Sequence, residues 1–179
     1  LIEALPQSHI FNMYGPTETT IWSTVYCLDK MRDLQSSIIS VGQPIANTEI
    51  LILDINHKQV PIGVAGELWI AGNGVSLGYI GRPELTEDRF LNHPFVHGKM
   101  YKTGDLARWR SDGMLEILGR IDRQVKILGH RIELDEVESV LSQQEHVDSV
   151  AVVTQLKQND AIELVAYVVP SKKLINSSL

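Results

Sequence analysis

Residues 12–18, with the sequence Asn-Met-Tyr-Gly-Pro-Thr-Glu, bring together several side chains that can bind a nucleotide. Tyr14 offers an aromatic face for a base, Thr17 a hydroxyl for a phosphate, and Glu18 an oxygen ligand for Mg²⁺. Gly15-Pro16 follows an apolar pair, which indicates that a strand ends there and that a loop presents these side chains. Taken alone, such a stretch is more often a plain polar turn, so the rest of the sequence is needed to decide whether it binds a nucleotide.

Three further motifs follow this stretch in order along the chain. They are Gly-Glu-Leu-Trp-Ile at 66–70, which runs on to Gly78-Tyr79, Tyr-Lys-Thr-Gly-Asp-Leu at 101–106, and Gly-Arg-Ile-Asp-Arg-Gln-Val-Lys-Ile at 119–127. With residues 12–18 they resemble the core motifs of the adenylate-forming enzymes, most closely those of the adenylation domains of nonribosomal peptide synthetases. The resemblance covers almost the whole chain, and these ordered motifs are too many for a chance match.

The resemblance implies an ATP site that is built around the first motif. Glu18 would bind Mg²⁺, the Thr17 hydroxyl would bond the α-phosphate, Tyr14 would pack on the adenine, and Asn12 would help to read the adenine amino group. A surface acid is the alternative for Glu18, and the intact motif around it favours the metal ligand.

The later motifs would supply the ribose contacts of the same site. In the family an Asp in the position of Asp105 accepts hydrogen bonds from both ribose hydroxyls, although an Asp after Gly can also simply cap a turn. Arg120 would contact the ribose or the phosphate. Ile117 stands where relatives often place an aromatic against the adenine, so its contact would be weaker and purely apolar.

The last motif implies two residues for a second step. Asp122 matches the hinge about which the small C-terminal lobe of the family swings between adenylation and thioester formation. Lys126 lies in an alternating run, so it points away from Val125 and Ile127. A solvated strand lysine and a role in the thioester-forming state explain Lys126 equally well.

Part of the substrate pocket also falls within the chain. In peptide-synthetase relatives the positions of Met13, Ile21 and Trp22 line the pocket for the substrate side chain. If Trp22 points inward, its bulk leaves little volume, which favours a small amino acid such as glycine, alanine or cysteine.

The implied reaction joins ATP and an amino acid to give aminoacyl-AMP and pyrophosphate. The aminoacyl group would then move to the phosphopantetheine thiol of a peptidyl carrier protein. Two alternatives stay open: an acyl- or aryl-CoA ligase of the same superfamily, and a degenerate, non-catalytic module that binds other proteins. Retention of the polar site residues argues against degeneration; these are Thr17, Glu18, Asp105 and Arg120.

Composition narrows the remaining possibilities. The 179 residues are 44% hydrophobic and 21% charged, as in ordinary globular proteins, and the net charge of −6 argues against general nucleic-acid binding. No apolar run approaches the roughly 20 residues of a membrane span. Cys27 is the single cysteine, so an internal disulfide is excluded, and we expect a buried thiol in a reducing, cytoplasmic compartment.

The sequence predicts an α+β fold in two parts. Residues 1–121 would be the β-rich distal portion of the adenylation core, and residues 122–179 the start of a small α+β lobe, with the hinge at Asp122. In the first part, patterns predict helices at 1–5 and 83–90 and strands at 8–12, 21–28, 48–54, 66–72, 100–103, 106–110 and 114–118. In the second part they predict a hairpin at 124–133, a helix beginning at Leu134, and strands at 147–153 and 162–169.

The chain is also expected to be a fragment of its enzyme. The family's phosphate loop would lie upstream and its Asn-Gly-Lys motif downstream, so the isolated fragment is expected to be inactive. The small lobe would leave an apolar face and a strand edge for other parts of the enzyme to cover. The glycine-rich stretch 72–78 lacks the spacing of a dinucleotide fingerprint, so we expect sharp turns there instead.

Overall fold

The chain forms two compact units in the computed structural model, Leu1–Ile121 and Asp122–Leu179. The assignment of these units to an adenylation core portion and a small lobe stays a prediction. The residues that the structure describes are 8–28, 38–93, 98–127, 130–157 and 161–171. The helix expected at 1–5 lies outside them.

The part of the first unit that the structure describes is built of two antiparallel sheets. Its strands are β1 (Phe11–Tyr14), β2 (Thr24–Cys27), β3 (Gln43–Pro44), β4 (Thr48–Leu53), β5 (Gly66–Gly72), β6 (Phe90–Asn92), β7 (Lys99–Trp109) and β8 (Leu115–Arg120). β1, β2 and β3 form the small sheet, and the other five strands form the large sheet in the order β4-β5-β7-β6, with β8 paired to β7. A 3₁₀ helix (Thr17–Thr19) follows β1, and helix α1 (Pro83–Arg89) precedes β6.

The large sheet is buried on both faces at β4. Successive strand side chains point to opposite faces, so Ile50 and Ile52 enter one apolar cluster and Leu51 and Leu53 enter another. The cluster with Ile50 and Ile52, called the first core cluster below, also contains Val41, Leu68, Ile70, Ala107 and Leu115. Each fully buried aliphatic side chain contributes about 1.5–3 kcal/mol. This sheet is therefore the rigid base of the unit.

The segment before β3 joins the small sheet to β8. The N–H of Leu115 donates to the carbonyl of Gly42 at 2.9 Å, and the N–H of Val41 donates to the carbonyl of Leu115 at 3.0 Å. The hydroxyl of Ser40 donates to that same carbonyl of Leu115 at 2.7 Å. The small sheet is thus anchored to the strand that ends at Arg120.

Three expectations for the small sheet are wrong. β1 begins at Phe11 rather than at residue 8 and continues through Tyr14 rather than ending at residue 12, because pairing with β2 extends to the pair Tyr14 and Thr24. β2 begins only at Thr24, because a tight turn occupies the preceding residues. Cys27 is exposed, since it pairs with the exposed Phe11 and shares its face of the sheet.

The break expected at Gly104 is also wrong. β7 runs as one strand from Lys99 to Trp109, and shifts in register opposite β5 and β8 absorb the irregularity. Gly104 accommodates it with a φ of 74°, which glycine adopts without strain. Helix α1 agrees with the prediction and begins with Pro83 in its first turn.

The described residues of the second unit form two antiparallel strand pairs and one helix. Its elements are β9 (Gln124–Ile127), β10 (His130–Glu133), α2 (Leu134–Ser142), β11 (Val147–Leu156) and β12 (Ile162–Pro170). β9 pairs with β10, β11 pairs with β12, and α2 packs on β11 with Leu134 buried. Within the described residues β12 pairs with β11 alone, and Tyr167, Val168 and Val169 are exposed. Neither described helix is long and apolar enough to cross a membrane.

Arg123 ties α2 to β11. Its guanidinium donates to both carboxylate oxygens of Glu138 at 2.8 Å and to the carbonyl of Val152 at 2.7 Å. The N–H of Val152 donates to Oε1 of Glu138 at 2.6 Å. The Arg123 hydrogen bond, followed by that of Val152, lowers the pKa of Glu138 below its ordinary value of 4.5. The carboxylate of Glu138 therefore connects α2 to β11 and to Arg123 near the start of the unit.

We predict that Glu138→Gln makes the stability of the protein less sensitive to acid. A carboxylate with a lowered folded pKa stabilises the fold above its ordinary pKa of 4.5, and this contribution is lost as the pH falls through the folded value. In thermal unfolding between neutral pH and about pH 3, the wild type should lose more stability than the variant. Glu145→Gln, on an exposed loop, is the control and should follow the wild type.

Candidate active site

The chain leaves β1 through the 3₁₀ helix, which places Glu18 in the interior. Glu18 is 9% exposed and Thr19 is 3% exposed, whereas Thr17 is open to solvent. The N–H of Thr19 donates to the carbonyl of Pro16 at 3.1 Å, and its hydroxyl lies 2.7 Å from that of Ser23. The turn therefore presents the hydroxyl of Thr17 and holds the carboxylate of Glu18 inside.

Thr20 and Ile21 follow in the left-handed region, with φ of 64° and 70°. β-branched residues rarely adopt this conformation, and each instance costs on the order of 1–3 kcal/mol. The N–H of Trp22 donates to the carbonyl of Thr20 at 2.8 Å, which makes Ile21 the centre of a γ-turn with the rarer, positive φ. The turn thus fixes two predicted pocket residues, Ile21 and Trp22, whose side chains are 63% and 55% exposed. Met13, the third, is 36% exposed on β1.

Gly15 is the residue over which this turn folds back. A Cβ at this position would lie 2.5 Å from the carbonyl oxygen of Ile21 and 2.7 Å from the nitrogen of Ser23. The N–H of Ser23 donates to the carbonyl of Tyr14 at 2.8 Å. Only glycine fits here, and the close approach locks the backbone of Tyr14.

The carboxylate of Asp105 is held by residues from two other motifs. Nη1 of Arg120 donates to Oδ1 at 2.9 Å, and the hydroxyl of Tyr14 donates to Oδ2 in a short hydrogen bond. Pairing of β7 with β8 sets Asp105 opposite Arg120, and the N–H of Asp105 donates to the hydroxyl of Thr103 at 3.0 Å. The side chains of Arg120 and Asp105 are 24% and 13% exposed, so a ligand can reach them with little competition from water.

Tyr14 acts in this cluster as a neutral donor. Burial raises the pKa of its phenol above 10, and the charge of Asp105 raises it further. The ring packs against the first core cluster, which Ile117 also borders. Nearby on β1, the amide Nδ2 of Asn12 donates to the carbonyl of Ser40 at 2.8 Å. The first core cluster is therefore bordered by two residues that are predicted to contact the adenine, Tyr14 and Ile117.

The glycine-rich stretch packs against the turn that carries Glu18. The N–H of Ser76 donates to the carbonyl of Glu18 at 2.9 Å, and the hydroxyl of Thr20 donates to the carbonyl of Gly74 at 2.8 Å. The hydroxyl of Tyr79 donates to Oε1 of Glu18 at 2.6 Å. Sequence reasoning missed this role of Tyr79, for which the only signal was its place in the second motif.

The carboxylates of Glu18 and Asp105 both connect to β7. The hydroxyl of Tyr79, which binds Glu18, lies 3.4 Å from the hydroxyl of Tyr101. Tyr101 and Asp105 are separated by four positions on β7, which is roughly 13 Å along a strand. The two carboxylates are thus linked through residues of one strand of the large sheet.

The side chains that could act as metal ligands suit a Mg²⁺ ion that is held mainly by a nucleotide. Glu18 supplies one carboxylate, and no group of three or more His, Cys, Asp or Glu side chains is placed to hold a metal in the described parts of the chain. Mg²⁺ commonly takes one or two protein carboxylates and completes its shell with phosphates and water. A single buried carboxylate beside the exposed Thr17 fits that pattern.

Two predicted residues belong to the second unit. Oδ1 of Asp122 accepts a hydrogen bond from the N–H of Gln124 at 3.3 Å, which shapes the turn before β9. Lys126 is exposed on β9, as the alternation of its neighbours predicts. The hinge role of Asp122 and the thioester role of Lys126 stay predictions.

Comparison with known proteins identifies the family. The model of the AMP-binding enzyme family matches residues 1–80. Tyrocidine synthase 3 of Brevibacillus parabrevis is 50% identical over 170 residues, which make up 94% of this chain and 3% of that protein. The chain is similar to the AMP-binding enzymes, and its first 80 residues match their family model. It spans only a small part of the long synthetases that it matches.

Two solved structures extend this result to the fold of the AMP-binding enzymes. An NRPS protein containing adenylation and PCP domains has a TM-score of 0.83 at 29% identity, over 99% of this chain and 37% of its own. A four-domain nonribosomal peptide synthetase, solved with AMP and glycine, is 42% identical with a TM-score of 0.58, over 92% of this chain and 12% of its own. These similarities confirm the α+β fold class and the resemblance to adenylation domains of peptide synthetases.

Gly15→Ala should destabilise the protein. The added Cβ would overlap the carbonyl oxygen of Ile21 at 2.5 Å, so the strained turn would have to move. Overpacking of this kind costs about 1–3 kcal/mol in the free energy of unfolding, which urea denaturation measures. A loss below about 0.5 kcal/mol, the usual range for surface substitutions, would contradict the close approach at Gly15.

Proposed function

We propose that this chain carries the nucleotide-binding part of an amino-acid-activating adenylation domain. The enzyme would convert ATP and an amino acid into aminoacyl-AMP and pyrophosphate. The observation that supports this proposal is the carboxylate of Asp105, which accepts hydrogen bonds from Tyr14 and from Arg120. These three residues come from three separate motifs and meet at one point.

Asp105 is the proposed ribose-binding residue. A carboxylate has two oxygens with about four lone-pair sites in all. Tyr14 and Arg120 each bind a different oxygen, so each oxygen can still accept a hydrogen bond from one ribose hydroxyl. Arg120 also places a positive charge beside the anionic nucleotide, which offsets the negative charge of Asp105.

Tyr14 and Asn12 are proposed to bind the adenine. The bond from Tyr14 to Asp105 keeps the aromatic ring at a set distance from the ribose position. The amide nitrogen of Asn12 donates to Ser40, which leaves its carbonyl oxygen as the acceptor for the adenine amino group. Ile117 would add an apolar contact from the border of the first core cluster.

Thr17 and Glu18 are proposed to bind the phosphates and Mg²⁺. The exposed hydroxyl of Thr17 would donate to the α-phosphate, and the buried carboxylate of Glu18 would be a metal ligand. Bound Mg²⁺ would supply positive charge that reduces the repulsion between the substrate carboxylate and the phosphates. A carboxylate oxygen of the amino acid attacks the α-phosphorus as the bond to pyrophosphate breaks, and Thr17 and Arg120 keep that phosphate aligned.

A small amino acid is the proposed substrate, with Met13, Ile21 and Trp22 at the wall of its side-chain pocket. The γ-turn fixes Ile21 and Trp22, so this wall would be formed before the substrate binds. An indole that points into the pocket would leave room for a short side chain only. The relative that was solved with AMP and glycine is 42% identical to this chain, which favours such a substrate.

The second half-reaction is proposed to use a carrier domain as the acceptor. A solved relative contains a PCP domain beside its adenylation domain, which favours transfer to a phosphopantetheine thiol. The small lobe, residues 122–179, would rotate at Asp122 between the two steps, and the exposed Lys126 would act in the thioester-forming state. Parts of the enzyme that flank this segment would complete the active site.

Asp105→Asn should weaken nucleotide binding by the enzyme that contains this chain. The amide keeps the size of the carboxylate but loses its charge and part of its accepting capacity, so we expect a loss of about tenfold or more in affinity. Calorimetric titration with a non-hydrolysable ATP analogue measures it. Asp148→Asn, which removes an exposed carboxylate on β11, is the control. Equal affinity for Asp105→Asn and the wild type would contradict the proposed ribose site.

Trp22→Ala should shift the preference of the enzyme toward larger amino acids. Loss of the indole enlarges the proposed pocket, and a difference of a single methylene group in an apolar pocket already changes selectivity by roughly 10-fold to 200-fold. ATP–pyrophosphate exchange with a panel of amino acids measures the preference. Ile55→Ala, at a side chain that is 94% exposed, is the control. A wild-type enzyme that prefers a large aromatic amino acid would refute the proposed pocket.

A further inference from the structure

Tyr79 reaches across the first unit to bind the carboxylate of Glu18. The hydroxyl donates to Oε1 at 2.6 Å, although the two residues are 61 positions apart in the sequence. Glu18 is 9% exposed, so this hydrogen bond forms where water competes little. Tyr79 has no direct role in the nucleotide site proposed above, so its hydrogen bond to Glu18 calls for a separate explanation.

Tyr79 is itself held from several sides. Its ring packs edge-on against Phe90, with ring centroids 5.3 Å apart, and its hydroxyl lies 3.4 Å from that of Tyr101. Its N–H donates to the hydroxyl of Thr86 at 2.9 Å, and that hydroxyl donates to the carbonyl of Arg82 at 2.8 Å. Helix α1 and the large sheet thus fix both the backbone and the ring of Tyr79.

The phenol of Tyr79 stays protonated under physiological conditions. A tyrosine phenol ordinarily ionises only at about pH 10, so it keeps its proton at neutral pH. It is therefore a neutral donor, which orients a carboxylate without cancelling its charge. A lysine or arginine in the same place would orient Glu18 too, but would repel a metal ion that approaches the carboxylate.

We propose that Tyr79 is a positioning residue that orients the carboxylate of Glu18 toward the metal of a bound metal–nucleotide complex. This inference rests on the proposed role of Glu18 as the metal ligand. Metal-binding carboxylates are commonly oriented by hydrogen bonds from a second layer of residues. Tyr79 has the geometry for that role, because it binds one carboxylate oxygen and is anchored outside the turn that carries Glu18.

The decisive experiment measures metal affinity in the enzyme that contains this chain. Mn²⁺ serves as the probe, and its binding in the presence of a non-hydrolysable ATP analogue is followed by electron paramagnetic resonance. Tyr79→Phe removes only the hydroxyl, and we expect Mn²⁺ affinity to fall by about tenfold, the lower end for second-layer residues. Affinity for the same analogue in the presence of a metal chelator should stay within about twofold of the wild type, because no nucleotide contact is lost.

Two companion variants separate the inference from the proposed function. Tyr167→Phe, which alters an exposed tyrosine on β12, controls for the loss of a hydroxyl and should leave Mn²⁺ affinity unchanged. Glu18→Gln tests the ligand itself and should lower Mn²⁺ affinity by more than Tyr79→Phe does. In the Glu18→Gln background, Tyr79→Phe should cause little further loss, because the two residues act through one carboxylate.

Each outcome decides the matter. The positioning role is supported if Tyr79→Phe lowers Mn²⁺ affinity but keeps its affinity for the ATP analogue in the presence of a metal chelator. If Glu18→Gln weakens Mn²⁺ binding and Tyr79→Phe does not, the inference fails and the proposed metal ligand stands. If Glu18→Gln also leaves Mn²⁺ affinity unchanged, the proposed metal role of Glu18 fails first. If Tyr79→Phe does not fold, judged by near-ultraviolet circular dichroism, the hydrogen bond serves folding and the inference is overturned.

Discussion

The site depends on the carboxylate of Asp105 and on the two donors that hold it. A charge that is largely removed from water is costly unless it is paired and hydrogen-bonded. Arg120 supplies the opposite charge from β8, and Tyr14 supplies a donor from β1. The two partners come from different sheets, so the positions of the two sheets relative to each other must be fixed. Direct pairing with β7 sets β8, and the bonds between Leu115 and the segment before β3 anchor the small sheet.

The strained turn after Glu18 connects the metal and pocket parts of the proposed site. Unfavourable backbone conformations persist where surrounding contacts over-determine them. Here the contacts come from the glycine-rich stretch, through Gly74 and Ser76. The same turn carries Glu18 at its start and Trp22 at its end. A change in the glycine-rich stretch would therefore affect both residues through the turn.

The sequence predicts the elements whose burial imposes a clear period, such as β4, β5 and α2. It does not predict the boundaries of β1 and β2, because these depend on a left-handed turn that no local preference favours. The exposure of Cys27 depends on which face of the small sheet meets the core, and the continuity of β7 past Gly104 depends on register shifts opposite its partners. The motifs predict candidate site residues, but not partners such as Tyr79, which meets Glu18 across 61 positions.

The two carboxylates of the site differ in their partners, and the difference follows from what each would bind. Asp105 is paired with Arg120, so its charge is offset and it can accept hydrogen bonds from neutral hydroxyls without attracting a cation. Glu18 accepts a hydrogen bond from the neutral hydroxyl of Tyr79, which orients the carboxylate and adds no charge beside it. Exchange of these partners would impair both sites, since an arginine at Glu18 would oppose a metal ion. Asp105 without Arg120 would be a buried charge with no countercharge to stabilise it.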